Sequence, residues 1–205
     1  MLLGAIDTTA STIEWAMASL LQRPDVLKRA QEELDVIVGR ERVLDESDLP
    51  SLKYLEAIVK ETLRLYPSGP LLVPHIAKEA CTVGGYYVPA QTQLFVNVWA
   101  IHRDPAVWEC PLLFEPERFM KSSSPDLNEH DFKYMPFGYG RRACPGMWMA
   151  IRMVKFNVGK LLQSFDWNIP PGVEGVDMSK ERGVIMHRAV SLKAAIKPRL
   201  PHHLY

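Results

Sequence analysis

The chain has 205 residues, 47% of them apolar, and its 24 Lys and Arg balance 24 Asp and Glu. Such a composition excludes a disordered, collagenous or supercharged chain, and zero net charge gives no whole-chain attraction that would make nucleic acid an expected partner. Cys81, Cys110 and Cys144 are widely spaced and form no CxxC pair, which argues against a disulfide framework or a zinc cluster and for a reducing setting.

In chain order, Leu2 to Leu21 reads as a helix apolar over much of its circumference, interrupted by Asp7, Thr8 and Thr9, and is expected inside the protein. Its polar residues and the lack of a basic start exclude a signal peptide or a membrane span, so no anchor is expected in this chain. Pro24 opens a second, surface helix with Leu27, Ala30, Leu34 and Ile37 on one stripe and Gly39 as its stop. A third helix runs from Ser51 to Tyr66 and is ended by Pro67. Proline and glycine then break the helical signal, and VGGYYVP and TQLFVNVW are expected as short strands of a small sheet. The stretch from Pro105 to Pro136 is loop-rich. From Met147 the apolar positions Ile151, Val154, Val158, Leu161 and Phe165 predict a helix of five turns, and the tail predicts turns with a further strand pair. The fold class is mainly α with small β-sheets.

The segment FGYGRRACPG, Phe137 to Gly146, places one thiol among three glycines and two arginines just before the long helix. Gly138 and Gly140 permit backbone conformations that a side chain blocks, and Gly146 is expected to let the chain turn into the helix. A sulfur beside a helix N-terminus, NH donors and Arg141 and Arg142 is favoured as thiolate, the form that ligates iron. Two plainer readings compete: a buried small hydrophobe, or a nucleophile using His102 or His130 as base, although nothing in the spacing ties either histidine to Cys144.

Phe137, Gly140, Arg142, Cys144 and Gly146 stand in an FxxGxRxCxG pattern that resembles the haem-binding loop of the cytochrome P450 family. GAIDTT at Gly4–Thr9, ETLR at Glu61–Arg64 and FEPERF at Phe114–Phe119 agree in order and approximate spacing. Their wording is most similar to plant microsomal enzymes of specialised metabolism. The resemblance covers essentially the whole chain but only the C-terminal two fifths or so of a family member, from the oxygen-activating helix through the cysteine loop and the helix after it.

The resemblance implies haem b (iron protoporphyrin IX) with Cys144 as axial iron ligand, Phe137 shielding the sulfur, Gly146 leaving a backbone NH for it, and Arg142 and His75 meeting propionates. It implies that Thr8 steadies the activated oxygen and Asp7 helps relay protons to it, whereas the plain alternative for Thr8 is a bond back to its own helix. Glu61 and Arg64 share a helix face and, with Arg118, would lock the haem-side core as structural support. Ala5, Thr9, Leu71, Leu72, Val73, Val184, Ile185 and Met186 would line a pocket for a lipophilic substrate such as a terpenoid or phenolic, with core packing as the alternative for the last three.

The implied activity is that of a monooxygenase inserting one atom of O2, with electrons from NADPH through NADPH-cytochrome P450 reductase, which exposed Arg141 and Arg152 could meet. The full-length parent would sit on the cytosolic face of the endoplasmic reticulum membrane. The alternative is a noncatalytic truncated remnant or interaction module that keeps the fold; peroxide rearrangement without O2 is disfavoured by the Asp7–Thr8 pair. This polypeptide alone, starting within a longer reading frame, is expected to bind haem weakly or not at all.

Overall fold

The computed structural model describes residues 2–205 apart from 123, 126, 128–130 and 182 and, for Leu2 and Leu3, the backbone. Its helices are α1 (Leu2–Gln22), α2 (Pro24–Ile37), α3 (Lys53–Leu65), the single turn α4 (Val98–Ile101) and α5 (Met147–Ser164), with 3-10 segments at Glu46–Ser51, Pro116–Met120 and Gly140–Arg142. Three two-stranded antiparallel ladders accompany them: β1 (His75–Ile76) with β4 (Gln93–Leu94), β2 (Cys81–Val83) with β3 (Tyr86–Val88), and β5 (Phe165–Asn168) with β6 (Ala195–Pro198). No helix among the described residues is long and apolar enough to cross a membrane.

α3 is the axis of the core. Leu55, Ile58, Val59, Leu63 and Leu65 are buried on it and join Leu20 of α1, Leu34 of α2 and Val158 and Leu162 of α5 in one apolar cluster. Each such side chain removed from water contributes about 1.5–3 kcal/mol. Pro24 starts α2, where the missing N–H costs nothing, and Gly39 at φ +81° ends it, its N–H returning to the Leu34 carbonyl at 3.1 Å.

Neighbouring elements satisfy the helix ends. The first N–H groups of α3, on Tyr54 and Leu55, donate to the Glu33 carboxylate of α2 at 2.7 and 2.9 Å, placing negative charge where the helix dipole favours it. At the far end of α5, the carbonyl of Leu162 accepts from Gln31 of α2 at 3.1 Å and from Arg199 after β6 at 2.8 Å.

Three expectations are corrected. α1 is interior from Ser11 to Leu21, but Gly4, Ala5, Ile6 and Asp7 are exposed, so Asp7 carries no burial cost here. The segment TQLFVNVW is strand only at Gln93–Leu94, because Asn97 caps a helical turn by accepting the Ala100 N–H at 3.0 Å. The last strand pair does not lie within the tail: β5 follows α5 without a break and pairs with β6, and among the described residues between them a bridge joins Lys180 to Arg188.

Candidate functional site

The cysteine loop grows from α5. Gly138 and Gly140 both take φ +72°, the left-handed region open to glycine, and between them the chain doubles back so that the Cys144 N–H donates to the Phe137 carbonyl at 2.9 Å. Gly140–Arg142 forms a 3-10 turn and α5 begins at Met147 with Gly146 as its cap. Gly146 has φ −93°, an ordinary value, so the turn does not require a glycine. A Cβ at Gly146 would sit 3.9 Å from Cys144 Sγ, an ordinary van der Waals contact, so the position lies beside the sulfur without crowding it. Cys144 is exposed, as are Arg141 and Arg142.

A second line of contacts reaches this loop from α1. Thr12 Oγ1 donates to the Thr8 carbonyl at 2.7 Å and lies 3.1 Å from Ser68 Oγ. Ser68 in turn accepts the Met186 N–H on its carbonyl at 2.9 Å, and the Met186 carbonyl accepts from Ser11 Oγ and Trp15 Nε1, both at 2.9 Å. Four residues on, Leu72 adopts φ 52°, uncommon for a branched side chain, and its Cδ1 lies 3.6 Å from the position of a Cβ on Gly138. The helix α1, the segment after α3, the Val184–Met186 segment and the cysteine loop are therefore linked through Thr12, Ser68, Met186 and Leu72.

Behind the loop lies a buried ionic knot. Glu61 and Arg64 are both fully buried; Arg64 Nε and Nη2 donate to the two Glu61 oxygens at 2.7 and 2.8 Å, and Arg118 Nε reaches Glu61 Oε1 at 3.0 Å. The remaining Arg64 hydrogens go to the carbonyls of His102 (2.6 Å), Pro111 (2.8 Å) and Leu113 (3.1 Å). A buried guanidinium is tolerable only with its donors so engaged.

His102 is also fully buried. Its Nδ1 is 3.2 Å from the Arg64 carbonyl and its Nε2 accepts the Met135 N–H at 3.1 Å. Burial first, then the charges of Arg64 and Arg103, push its pKa down to about 3, against the opposing pull of the Arg64 carbonyl. A ring with both nitrogens committed inside the core is no base for Cys144, and His130 lies outside the described residues.

The other expected site residues scatter. The Thr8 hydroxyl bonds back to the Gly4 carbonyl at 2.6 Å, which is the plain alternative for a mid-helix threonine. Thr9 is half-buried and Ala5 open. Leu71 and Val73 are exposed, Val184 strongly so at 84%, whereas Ile185 is half-buried and Met186 is buried at 6% and belongs to the packing. His75 sits half-buried on β1 opposite Leu94, with no hydrogen bond to Arg142 or Cys144 among the described residues. Phe137 packs against the core while its carbonyl holds Cys144.

Fold and loop together define a helical protein that presents one cysteine sulfur, framed by glycines, at the root of its last long helix and in front of a buried Glu–Arg–Arg knot. The chain belongs to the cytochrome P450 family, whose model, Cytochrome P450, matches residues 1–192. It is 49% identical over 201 residues to flavonoid 3',5'-hydroxylase 2 of Petunia hybrida, covering 97% of this chain and 40% of that protein. It is 45% identical over 210 residues to flavonoid 3'-monooxygenase of Arabidopsis thaliana, covering 100% of this chain and 41% of that protein. The chain thus spans about two fifths of the length of these curated relatives. Among solved structures, a zebra fish cytochrome P450 with abiraterone superposes at TM-score 0.85 with 36% identity, over 95% of this chain and 44% of that one. The same TM-score, 0.85, is reached with a progesterone-bound zebra fish cytochrome P450.

Proposed function

We propose that this chain is the cysteine-ligand part of a haem-thiolate monooxygenase and that the Cys144 thiolate would hold the iron of haem b. The observation that carries the proposal is the loop itself: an exposed sulfur just before α5 whose backbone is fixed by the Cys144–Phe137 bond between two glycines at φ +72° and the helix. A thiolate is a soft, electron-rich ligand suited to iron, and the donor set fits the group. Bound there, haem would supply the O2-activating redox chemistry, one oxygen atom passing to the substrate and the other leaving as water with two electrons from NADPH through a flavoprotein reductase.

The residues of this chain have supporting tasks. Arg142 and His75 would neutralise propionates. Glu61, Arg64 and Arg118 would keep the loop's foundation rigid. Thr8, on breaking its bond to the Gly4 carbonyl, would offer a hydroxyl to the distal side, and Asp7, exposed one residue before, would exchange protons with water. The apolar Ala5, Leu71, Leu72 and Val73, beside Thr9, suit a lipophilic substrate, and the flavonoid hydroxylases among the relatives favour a flavonoid-type phenolic. Val184 and Ile185 would border it, with Met186 behind them. Exposed Arg141 and Arg152 favour an acidic reductase face, and the complete protein would work at the endoplasmic reticulum membrane.

The test joins residues 1–205 to the preceding three fifths or so of the petunia relative, loads the fusion with haem, reduces it and adds CO. A thiolate-type Soret band that Cys144→Ser abolishes is the expected result. A band unchanged by that substitution would remove Cys144 from the iron.

A further inference from the structure

Resting on that reading of Cys144, we propose that His102 is a positioning residue for the cysteine loop: its neutral ring ties the Arg64 carbonyl at the end of α3 to the Met135 amide where the loop begins. The tautomer follows from the partners. A carbonyl can only accept, so Nδ1 carries the proton toward Arg64 at 3.2 Å; a backbone amide can only donate, so Nε2 is the bare nitrogen facing Met135 at 3.1 Å. Protonating Nε2 would set two donors against each other in the core.

The exchange with Arg64 is reciprocal, because Arg64 Nη1 donates to the His102 carbonyl at 2.6 Å. Tyr134, next to Met135, is held from both sides. Its ring lies 5.5 Å from the His102 ring and its hydroxyl donates to the Lys60 carbonyl of α3 at 2.9 Å. Two residues past Met135 comes Phe137, whose carbonyl holds the Cys144 N–H at 2.9 Å. A continuous path therefore runs from the buried Glu61–Arg64 pair, through the imidazole and the Met135 amide, to the backbone that aims the sulfur. The charged groups near the ring are Arg64 of α3 and Arg103 of its own segment, with Glu61 behind Arg64; both cations reinforce a neutral imidazole.

Two side chains copy half of the ring each. Gln places an oxygen near Nε2 and can accept the Met135 N–H; Asn reaches only the Nδ1 position. The first measurement uses the 205-residue chain without haem: long-range nitrogen–proton NMR of the His102 ring and hydrogen exchange of the Met135 amide. The expected result is a proton on Nδ1 at pH 7 and at pH 5, with a protected Met135 amide that exchanges at least about tenfold faster in His102→Asn and stays protected in His102→Gln. A ring protonated on both nitrogens at pH 5, or a Met135 amide indifferent to His102→Asn, overturns the proposal.

The second measurement uses the haem-loaded fusion described above. In His102→Asn the haem is expected to dissociate about tenfold or more faster, the scale of outer-shell changes at metal sites, with the thiolate-type band giving way to the thiol-type band; His102→Gln restores both. Native-like haem retention and band in a folded His102→Asn fusion would overturn the positioning role while leaving Cys144 as ligand. If instead the unsubstituted fusion shows no thiolate-type band, the haem reading fails and the His102–Met135 bond stands or falls on the exchange data.

Discussion

Arg64 commits its guanidinium to one carboxylate and three carbonyls, and this explains why His102 beside it stays neutral. A cation within the same dry cluster and burial both disfavour a second positive charge, so the His102 pKa falls from 6.5 to about 3. Its sign for stability is fixed by linkage. Between these two values the unfolded chain binds a proton that the folded chain refuses, so His102 weakens the fold progressively as pH drops below 6.5. Going from pH 7 to pH 5 is expected to cost about 2 kcal/mol through this group, read as a lower urea midpoint, and His102→Gln should remove that slope. An equal slope in the variant would show that the ring titrates in the folded state.

Part of this was legible from sequence alone. Glu61 and Arg64 at i, i+3 already implied a pair sharing one helix face. The task of His102 was not legible, because its partners are a carbonyl and an amide 38 and 33 residues away, and main-chain groups leave no mark in the order of side chains. Thr8 was ambiguous in a different way: its type fits both a relay and a back-bond, and here its hydroxyl makes the back-bond to the Gly4 carbonyl.

At the scale of elements, long apolar periods translated well. α1, α2, α3 and α5 lie where the spacing puts them, since each buries a stripe against the same core. β5 was hidden because α5 runs directly into it and its partner β6 comes after an irregular stretch. The caps from Glu33, Gln31 and Arg199 were hidden too, because each serves another element. α5 owes its close approach to one small residue. A Cβ on Gly159 would lie 2.8 Å from Leu44 Cδ2 and 2.9 Å from Leu55 Cδ2, so α5 contacts α3 and the segment before it through backbone. Gly159→Ala gains about 1 kcal/mol of helix propensity but overpacks a full core, which typically costs about 1–3 kcal/mol. The net effect is expected to be a lower thermal midpoint; a rise would mean that Leu44 and Leu55 repack freely.

Across the whole molecule, α5 divides its surface unevenly between core and solvent. Val154, Val158 and Leu162 turn inward, while Trp148, Met149 and Met153, on the opposite stripe, are 54%, 69% and 43% exposed with Arg152 among them. A lone exposed apolar residue is unremarkable, but a stripe along one helix is a contact surface in search of cover. This stripe starts just after the cysteine loop, so anything that covers it also bears on the base of the Cys144 turn. Left in water, the stripe exposes apolar area whose burial is worth about 25 cal/mol per Å2. Trp148→Lys combined with Met149→Glu is therefore expected to reduce binding of a hydrophobic dye. The thermal midpoint should barely move, since exposed positions typically change stability by no more than about 0.5 kcal/mol. Dye binding that persists undiminished in the double variant would move the sticky surface away from α5, to the exposed Leu71, Val73 and Leu94.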